Sequence, residues 1–237
     1  MYFAQIMAAG SGKRMGNTTM PKQFLLLGDK PIIIHTLEKF ILNPDFEKII
    51  ISCSESWIQY TQDLIKKYIG SDDPRIVVIE GGEERNDTLN KAIEYIETEY
   101  TITDKDVLLI HDAVRPFITK RIISDNLAAT ENYTAVDTGI PAFDTIVQVR
   151  QDIISDIPNR DEMYQGQTPQ TFNIKVLKRS YSLLTEEQKN ILSDSCKICL
   201  LAGEKVKMVD GELFNIKITA PYDLKIANAL LEEREND

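Results

Sequence analysis

The chain has 237 residues, of which 43% are hydrophobic and 27% charged, with a formal net charge of -10. That balance is of an ordinary soluble globular protein with enough chain to bury a full core. The acidic excess argues against a nucleic-acid surface, which needs a basic face, yet leaves room for an anionic small ligand held by a few local Lys and Arg. No apolar run approaches the roughly 20 residues of a membrane span. The N-terminus also lacks a basic stretch leading into a long apolar one. The three cysteines, Cys53, Cys196 and Cys199, suggest a reducing cytoplasm rather than a disulfide framework. The C-x-x-C spacing in "CKIC" reads as two small, partly buried thiols, and two distant histidines make a zinc site unexpected.

In chain order, "YFAQIMA" (Tyr2–Ala8) is a short apolar strand ending in a glycine loop. "PIIIHTLEKFIL" places Ile33, Leu37, Phe40 and Ile41 at helical spacing. "KIIISC" (Lys48–Cys53) is a β-branched strand, and "WIQYTQDLIKKYI" a helix with Trp57, Tyr60, Leu64 and Tyr68 on one stripe. "RIVVIE" (Arg75–Glu80) is again a strand, followed by a helix carrying Leu89, Ala92, Ile93 and Ile96 on one face. "DVLLIHDA" is a fourth strand and "KRIISDNLAAT" a further helix. Continuous apolar strands alternating with amphipathic helices predict an α/β, Rossmann-like, mostly parallel sheet flanked by helices. Ligands of such sheets bind beyond the carboxyl ends of the strands. The stretches to inspect are therefore 10–14, 81–85 and 111–115.

The stretch from Thr134 onward shows no helical period before Asn159. It predicts a β-ribbon over about 137–160, with "DTIVQV" pairing "IISDI" across a turn near Arg150–Asp152. A protruding ribbon needs a surface for its apolar face, and a second subunit is the economical one. Helical stretches follow around Val176–Leu184 and Glu186–Ile198, then two late strands, "KVKMVD" and "FNIKIT". A last helix begins with Thr219 as N-cap, Pro221 in the first turn and Asp223 against the dipole. Without repeat, low-complexity stretch or linker, residues 1–237 read as one domain with a β-arm.

The loop "AAGSGKRMG" carries Gly10, Gly12, Lys13, Arg14 and Gly16. A P-loop fails because Arg14 stands where Ser or Thr would hold Mg²⁺; a dinucleotide fingerprint fails because the third glycine comes one residue late. Small Ala8 and Ala9, flexible Gly10 and Gly12, and the cations Lys13, Arg14 and Lys22 leave two readings: a triphosphate cradle or a solvated basic turn.

"AAGSGKRM", a short gap, then "PKQF" resembles the signature of sugar-phosphate nucleotidylyltransferases, and among them the polyol-phosphate cytidylyltransferases. "GGEERNDTL", "HDAVRPF", "FDTIVQ", "QTPQTF" and "NIKIT" follow in the family's order, so the resemblance covers nearly the whole chain. Of two branches, "AVDTGIPAFDTIV", "IPNRDEMYQGQTPQTF" and "SDSCKI" look more like the ribitol 5-phosphate branch, which serves teichoic acids and capsules. The other branch, acting on 2-C-methyl-D-erythritol 4-phosphate for isoprenoids, is the alternative. A nucleotide-binding module without turnover is a third, which Arg14, Lys22 and Lys217 argue against.

The implied reaction passes CMP from CTP to a polyol phosphate. The attacking phosphate is already anionic, so the need is for positioning and cationic stabilisation rather than a general base. By the resemblance, Ala8, Ala9, Gly10, Gly12 and Lys13 contact the triphosphate, and Arg14, Lys22 and Lys217 are catalytic. Gly81, Gly82, Arg85 and Thr88 form the base-recognition loop, with Arg85 equally readable as a structural partner of nearby acids. Asp112 organises the ribose, a Mg²⁺ or other divalent ion, or the polyol. Arg115, Thr145, Arg160 and Thr168 bind the polyol phosphate, Thr145 and Arg160 from the arm of a second subunit in a homodimer. His111 reads as a satisfied, buried histidine.

Overall fold

The computed structural model describes residues 1–10, 20–70 and 73–236, the last three of these as backbone only. Among these, eight strands share one sheet: β1 (Tyr2–Ala8), β4 (Phe46–Cys53), β5 (Ile76–Glu80), β6 (Val107–Asp112), β7 (Ala135–Pro141), β10 (Tyr164–Gly166), β11 (Gln170–Asn173) and β12 (Val206–Asp210). The order runs β5-β4-β1-β6-β11-β7-β10, with β12 paired to β7. β1, β4, β5 and β6 are parallel, as is β12 with β7, while β10 and β11 run antiparallel to their neighbours. The helices are α1 (Ile32–Ile41), α2 (Ile58–Tyr68), α3 (Arg85–Glu99), α4 (Lys120–Ala129), α5 (Ile174–Ser182), α6 (Glu186–Asn190), α7 (Cys196–Leu201) and α8 (Pro221–Asn236).

Strand periodicity sorts the core into two layers. Ala4 and Ile6 of β1, Ile49 and Ile51 of β4 and Leu109 of β6 pack with α1, α2 and α4 through Leu37, Phe40, Leu64 and Ile122. The alternate residues Phe3, Ile50, Leu108 and Ile110 pack with α3 and α5 through Leu89, Ile93, Ile96 and Leu177. Both faces of the parallel strands are therefore dry, which is why they read as continuous apolar runs. β1 lies between β4 and β6, where the strand order reverses, and the carboxyl ends of the three strands come side by side: Ala8 opposite Cys53, Met7 opposite Asp112.

Several expected elements differ. A two-stranded hairpin, β2 (Leu26–Leu27) with β3 (Lys30–Pro31), turns at Gly28 with φ of 60°; its strands are too short to show a period. The expected ribbon over 137–160 begins in the main sheet: Val136, Thr138 and Ile140 of β7 are buried, so the protruding part starts after Pro141. Its hairpin is β8 (Gln148–Arg150) with β9 (Ile153–Asp156), turning on Gln151 and Asp152, both at positive φ, in the two-residue geometry that matches strand twist. The helix expected over 186–198 is two, because the Asp194 carboxylate accepts the Cys196 N–H at 2.8 Å and opens a new helix start. "FNIKIT" is not a strand, since Ile216 N–H turns back to Phe214 C=O and Asn215 C=O is taken by Arg115. At α8 the cap is Asp223, whose carboxylate accepts the N–H groups of Thr219 and Ala220 and the Thr219 hydroxyl. The three cysteines are free, as expected, and Cys196 and Cys199 are buried rather than partly so; burial pushes the Cys199 thiol up to about 12.

Candidate active site

A cleft of about 330 Å³ opens where β1, β4 and β6 end. Its floor is Ala8, Ala9 and Gly10; one wall is 82–85 with Thr88, and the other is Asp112–Val114 with Lys217, while Lys22 and Gln23 close the side. These are five separate stretches of sequence, gathered at the edge where the parallel strands end.

Asp112, the last residue of β6, is the electrostatic centre. Its Oδ1 accepts from Arg85 Nη1 at 2.9 Å, and its Oδ2 lies 2.9 Å from Lys217 Nζ and 3.4 Å from Arg115 Nε. The side chain is only 7% exposed. Burial opposes its charge, but Arg85, Lys217 and Arg115 together hold the carboxyl far below the usual range. Three cations thus surround one carboxylate, while Glu83 and Glu84 stand on the wall of the same cleft.

The wall at 81–88 is built from its own hydrogen bonds. Gly81 N–H donates to Cys53 C=O at 2.7 Å and Gly82 N–H to Thr88 Oγ1 at 3.0 Å, while the Thr88 hydroxyl donates to Glu84 C=O at 3.0 Å. Lys91 Nζ bonds Gly81 C=O and pairs with Glu80, both at 3.0 Å. α3 begins with a reciprocal capping box between Glu84 and Asp87. Glycine is obligatory here: a Cβ on Gly81 would sit 2.7 Å from Ala9 Cβ, and one on Gly82 would sit 2.2 Å from Asp87 Cβ and 2.7 Å from Asp87 backbone carbon.

The sequence-based site residues separate into three groups. Ala8, Ala9, Gly10, Lys22, Gly82, Arg85, Thr88, Asp112 and Lys217 line one cleft, with Gly81 adjoining them through the loop. Arg115 and Thr168 lie behind it: Arg115 Nη1 donates to Asn215 C=O at 2.7 Å, and the Thr168 hydroxyl is bonded to His111 and the Asp112 amide. Thr145 and Arg160 stand on the exposed arm outside the cleft of their own chain, Arg160 Nη1 donating to Phe143 C=O at 3.2 Å. Gly12, Lys13 and Arg14 lie outside the described residues. His111 is wholly buried, and burial pushes its imidazole down to about 4, so it is neutral.

Two residues escaped the sequence reading. Gln23, 3% exposed, donates from Nε2 to Ala8 C=O at 2.5 Å and ties the short helical turn carrying Lys22 to the end of β1. Asn215, fully buried, donates from Nδ2 to Thr168 C=O at 2.8 Å and to Gln167 Oε1 at 3.1 Å. The only sequence signal for either is an amide side chain beside a motif lysine.

The chain that builds this cleft has matches along nearly its whole length. Residues 3–233 match the family model of 2-C-methyl-D-erythritol 4-phosphate cytidylyltransferase, IspD. The chain belongs to the IspD family. It is therefore a cytidylyltransferase by family, an enzyme that transfers a nucleotidyl group from CTP. A curated relative from Lactiplantibacillus plantarum, ribitol-5-phosphate cytidylyltransferase, is 58% identical over 234 residues, covering 99% of this chain and all of that protein. Among solved structures, 4-diphosphocytidyl-2C-methyl-D-erythritol synthase of Anaerococcus prevotii superposes with a TM-score of 0.80 at 28% identity, covering 98% of each chain. The IspD of Francisella tularensis gives 0.79 at 28%, covering 96% of this chain and 98% of its own. The mostly parallel, helix-flanked sheet of this chain is thus that of IspD-like nucleotidyltransferases.

Proposed function

We propose that this chain transfers CMP from CTP to D-ribitol 5-phosphate, giving CDP-ribitol and pyrophosphate, with teichoic acid or capsule polymers as the downstream use and the cytoplasm as the location. The observation that carries the choice of polyol is the 58% identity with a ribitol-5-phosphate cytidylyltransferase along the whole chain, against 28% with the methylerythritol-named structures. The family model itself bears the methylerythritol name, which keeps that substrate as the competing reading. Among the described residues, no helix is long and apolar enough to cross a membrane.

In this reading a phosphate oxygen of the polyol phosphate attacks the α-phosphorus of CTP in line, the bond to the bridging oxygen breaks, and pyrophosphate leaves. Ala8, Ala9 and Gly10 bring backbone close to the triphosphate. Lys22 and Lys217 neutralise charge that builds on the α-phosphate and leaving group. Gly82, Arg85 and Thr88 form the wall that meets the base. Lys13 and Arg14, which lie between Gly10 and Met20 in the sequence, add further cations. Mg²⁺ does not fit as a direct ligand of Asp112, because both carboxylate oxygens are bonded to Arg85, Lys217 and Arg115; a divalent ion carried by the triphosphate oxygens fits the cleft better.

The same reading makes residues 1–237 one domain that acts as a homodimer. Phe143, Val149, Ile153, Ile154 and Ile157 of the arm are each more than half exposed, and a lone two-stranded ribbon with such a surface needs cover. Thr145 and Arg160 on the arm then serve the partner's cleft. The deciding experiment measures pyrophosphate release with CTP plus ribitol 5-phosphate beside CTP plus methylerythritol 4-phosphate. Preference for ribitol 5-phosphate is expected; a clear preference for methylerythritol 4-phosphate overturns the polyol assignment.

A further inference from the structure

Behind the cleft, a chain of hydrogen bonds runs from the backbone of Asp112 into the core. Thr168 Oγ1 lies 3.1 Å from Asp112 N and 3.0 Å from His111 Nδ1, and His111 Nε2 lies 3.1 Å from Arg115 C=O. A carbonyl only accepts, so His111 carries its hydrogen on Nε2. The ring is neutral, so Nδ1 has a lone pair and accepts the Thr168 hydroxyl hydrogen. The Thr168 oxygen is then left to accept the Asp112 N–H. Each hydrogen in the chain has one direction.

The chain closes on the site from the other side. Thr168 C=O accepts from Asn215 Nδ2, Asn215 C=O accepts from Arg115 Nη1, and two residues on is Lys217, whose ammonium returns to Asp112 Oδ2. Asp112 and Lys217, which come from stretches 105 residues apart, are thus referenced to one residue. Thr168 is 4% exposed, with both hydroxyl roles spent inside the protein.

We propose that Thr168 is a positioning residue for nucleotidyl transfer: its hydroxyl, oriented by the Nε2–H tautomer of His111, fixes the Asp112 backbone and, through the Asp112 carboxylate, the Lys217 ammonium. This assigns Thr168 a place behind the reacting groups rather than on the polyol phosphate. The assignment rests on the cytidylyltransferase reading above.

The test compares Thr168→Val, which keeps shape and removes the hydroxyl, with Thr168→Ser, which keeps the hydroxyl and removes a methyl. Thr168→Val is expected to lower kcat at least about tenfold with KM for CTP within about threefold, since misplacement acts on the reacting geometry. Thr168→Ser is expected to keep at least about a third of kcat even where its melting temperature falls, because kcat follows the hydroxyl and not packing. Wild-type kcat in Thr168→Val, or equal losses in both variants, overturns the proposal. Independently of turnover, ¹⁵N NMR of the His111 ring in the wild-type enzyme at neutral pH is expected to show the neutral Nε2–H tautomer; the Nδ1–H tautomer or an imidazolium overturns it. If the wild-type enzyme turned over neither polyol phosphate, the function reading would fall, and the NMR result would still decide the hydrogen-bond chain.

Discussion

Asp112 behaves as a counter-ion before it behaves as a ligand. Removing its charge strands Arg85, Arg115 and Lys217 together, with Arg115 only 10% exposed. Breaking a buried ion pair by one partner costs about 3–5 kcal/mol, so Asp112→Asn is expected to lower stability by about that amount in urea melts and to depress kcat/KM at least about 100-fold. Near-normal turnover in a folded Asp112→Asn enzyme contradicts the hub. A half-buried carboxylate, Asp137, acts in the opposite sense. Burial raises Asp137 to about 6, the nearby Asp194 adds to this, and the Gln170 amide partly offsets it. A raised folded-state carboxyl binds a proton that the unfolded chain has released, so this group destabilises the fold above about pH 6 and the penalty fades as pH falls toward the ordinary value near 4. Asp137→Asn is accordingly expected to gain melting temperature over wild type at pH 8 and to lose that gain by about pH 4.5; a pH-independent difference refutes it. Sequence made the residues near Asp112 legible one at a time, Arg85 and Arg115 because each follows a strand and Lys217 only through its motif. It left open which of them touch: Arg85 was readable as a base contact or an acid's partner, and it bonds Asp112 at 2.9 Å while still lining the cleft. Gln23 and Asn215 were invisible because their partners lie 15 and 47 residues away, and nothing in a local pattern encodes such a pair.

At the scale of elements, the glycine wall is the most constrained turn. Its N–H groups are bonded inward, and α3 starts only after the capping box closes. Gly82→Ala drives its Cβ against the Asp87 and Thr88 backbone at 2.7 and 2.8 Å, atoms that cannot rotate away. The wall must move as a unit, so the variant is expected to lose about 1–3 kcal/mol of stability and to raise KM for CTP more than KM for the polyol phosphate. An unchanged KM for CTP separates this wall from nucleotide binding. The parallel half of the sheet was legible, β1 to the residue at Tyr2–Ala8 and β4, β5 and β6 to within two residues at their ends, because strands buried on both faces leave unbroken apolar runs between periodic helices. The antiparallel half was not. β7 carries Asp137, Thr138 and Gly139 inside the sheet, where Gln170 donates to the Asp137 carboxylate, Asn126 to the Thr138 hydroxyl and Gly211 N–H to Gly139 C=O, partners that no local pattern encodes. A tertiary hydrogen bond from Arg115 likewise overrides the β-branched look of "FNIKIT".

For the whole molecule, the decisive question is whether one chain holds one complete site. The cleft gathers Lys22, Arg85, Asp112 and Lys217, while Thr145 and Arg160 project with the arm and its bare Val149, Ile153, Ile154 and Ile157. If the arm reaches a second copy, cation sets from two chains make each site, and the unit of activity is the C2 dimer. Two variants then damage different sites. Lys22→Ala removes a cation from the cleft of its own chain and is expected to cut turnover about 100-fold or more while leaving the fold intact. Arg160→Ala removes a planar donor fork that suits a phosphate, and is expected to raise KM for the polyol phosphate more than KM for CTP. In a heterodimer of the two, the cleft with Lys22 faces the arm with Arg160, so one site of two is whole. Co-expressed, differently tagged chains purified as heterodimers should therefore recover up to about half of wild-type activity. Recovery no greater than the mean of the two parent variants, in heterodimers verified by native mass spectrometry, shows that each chain completes its own site and that the arm serves assembly alone.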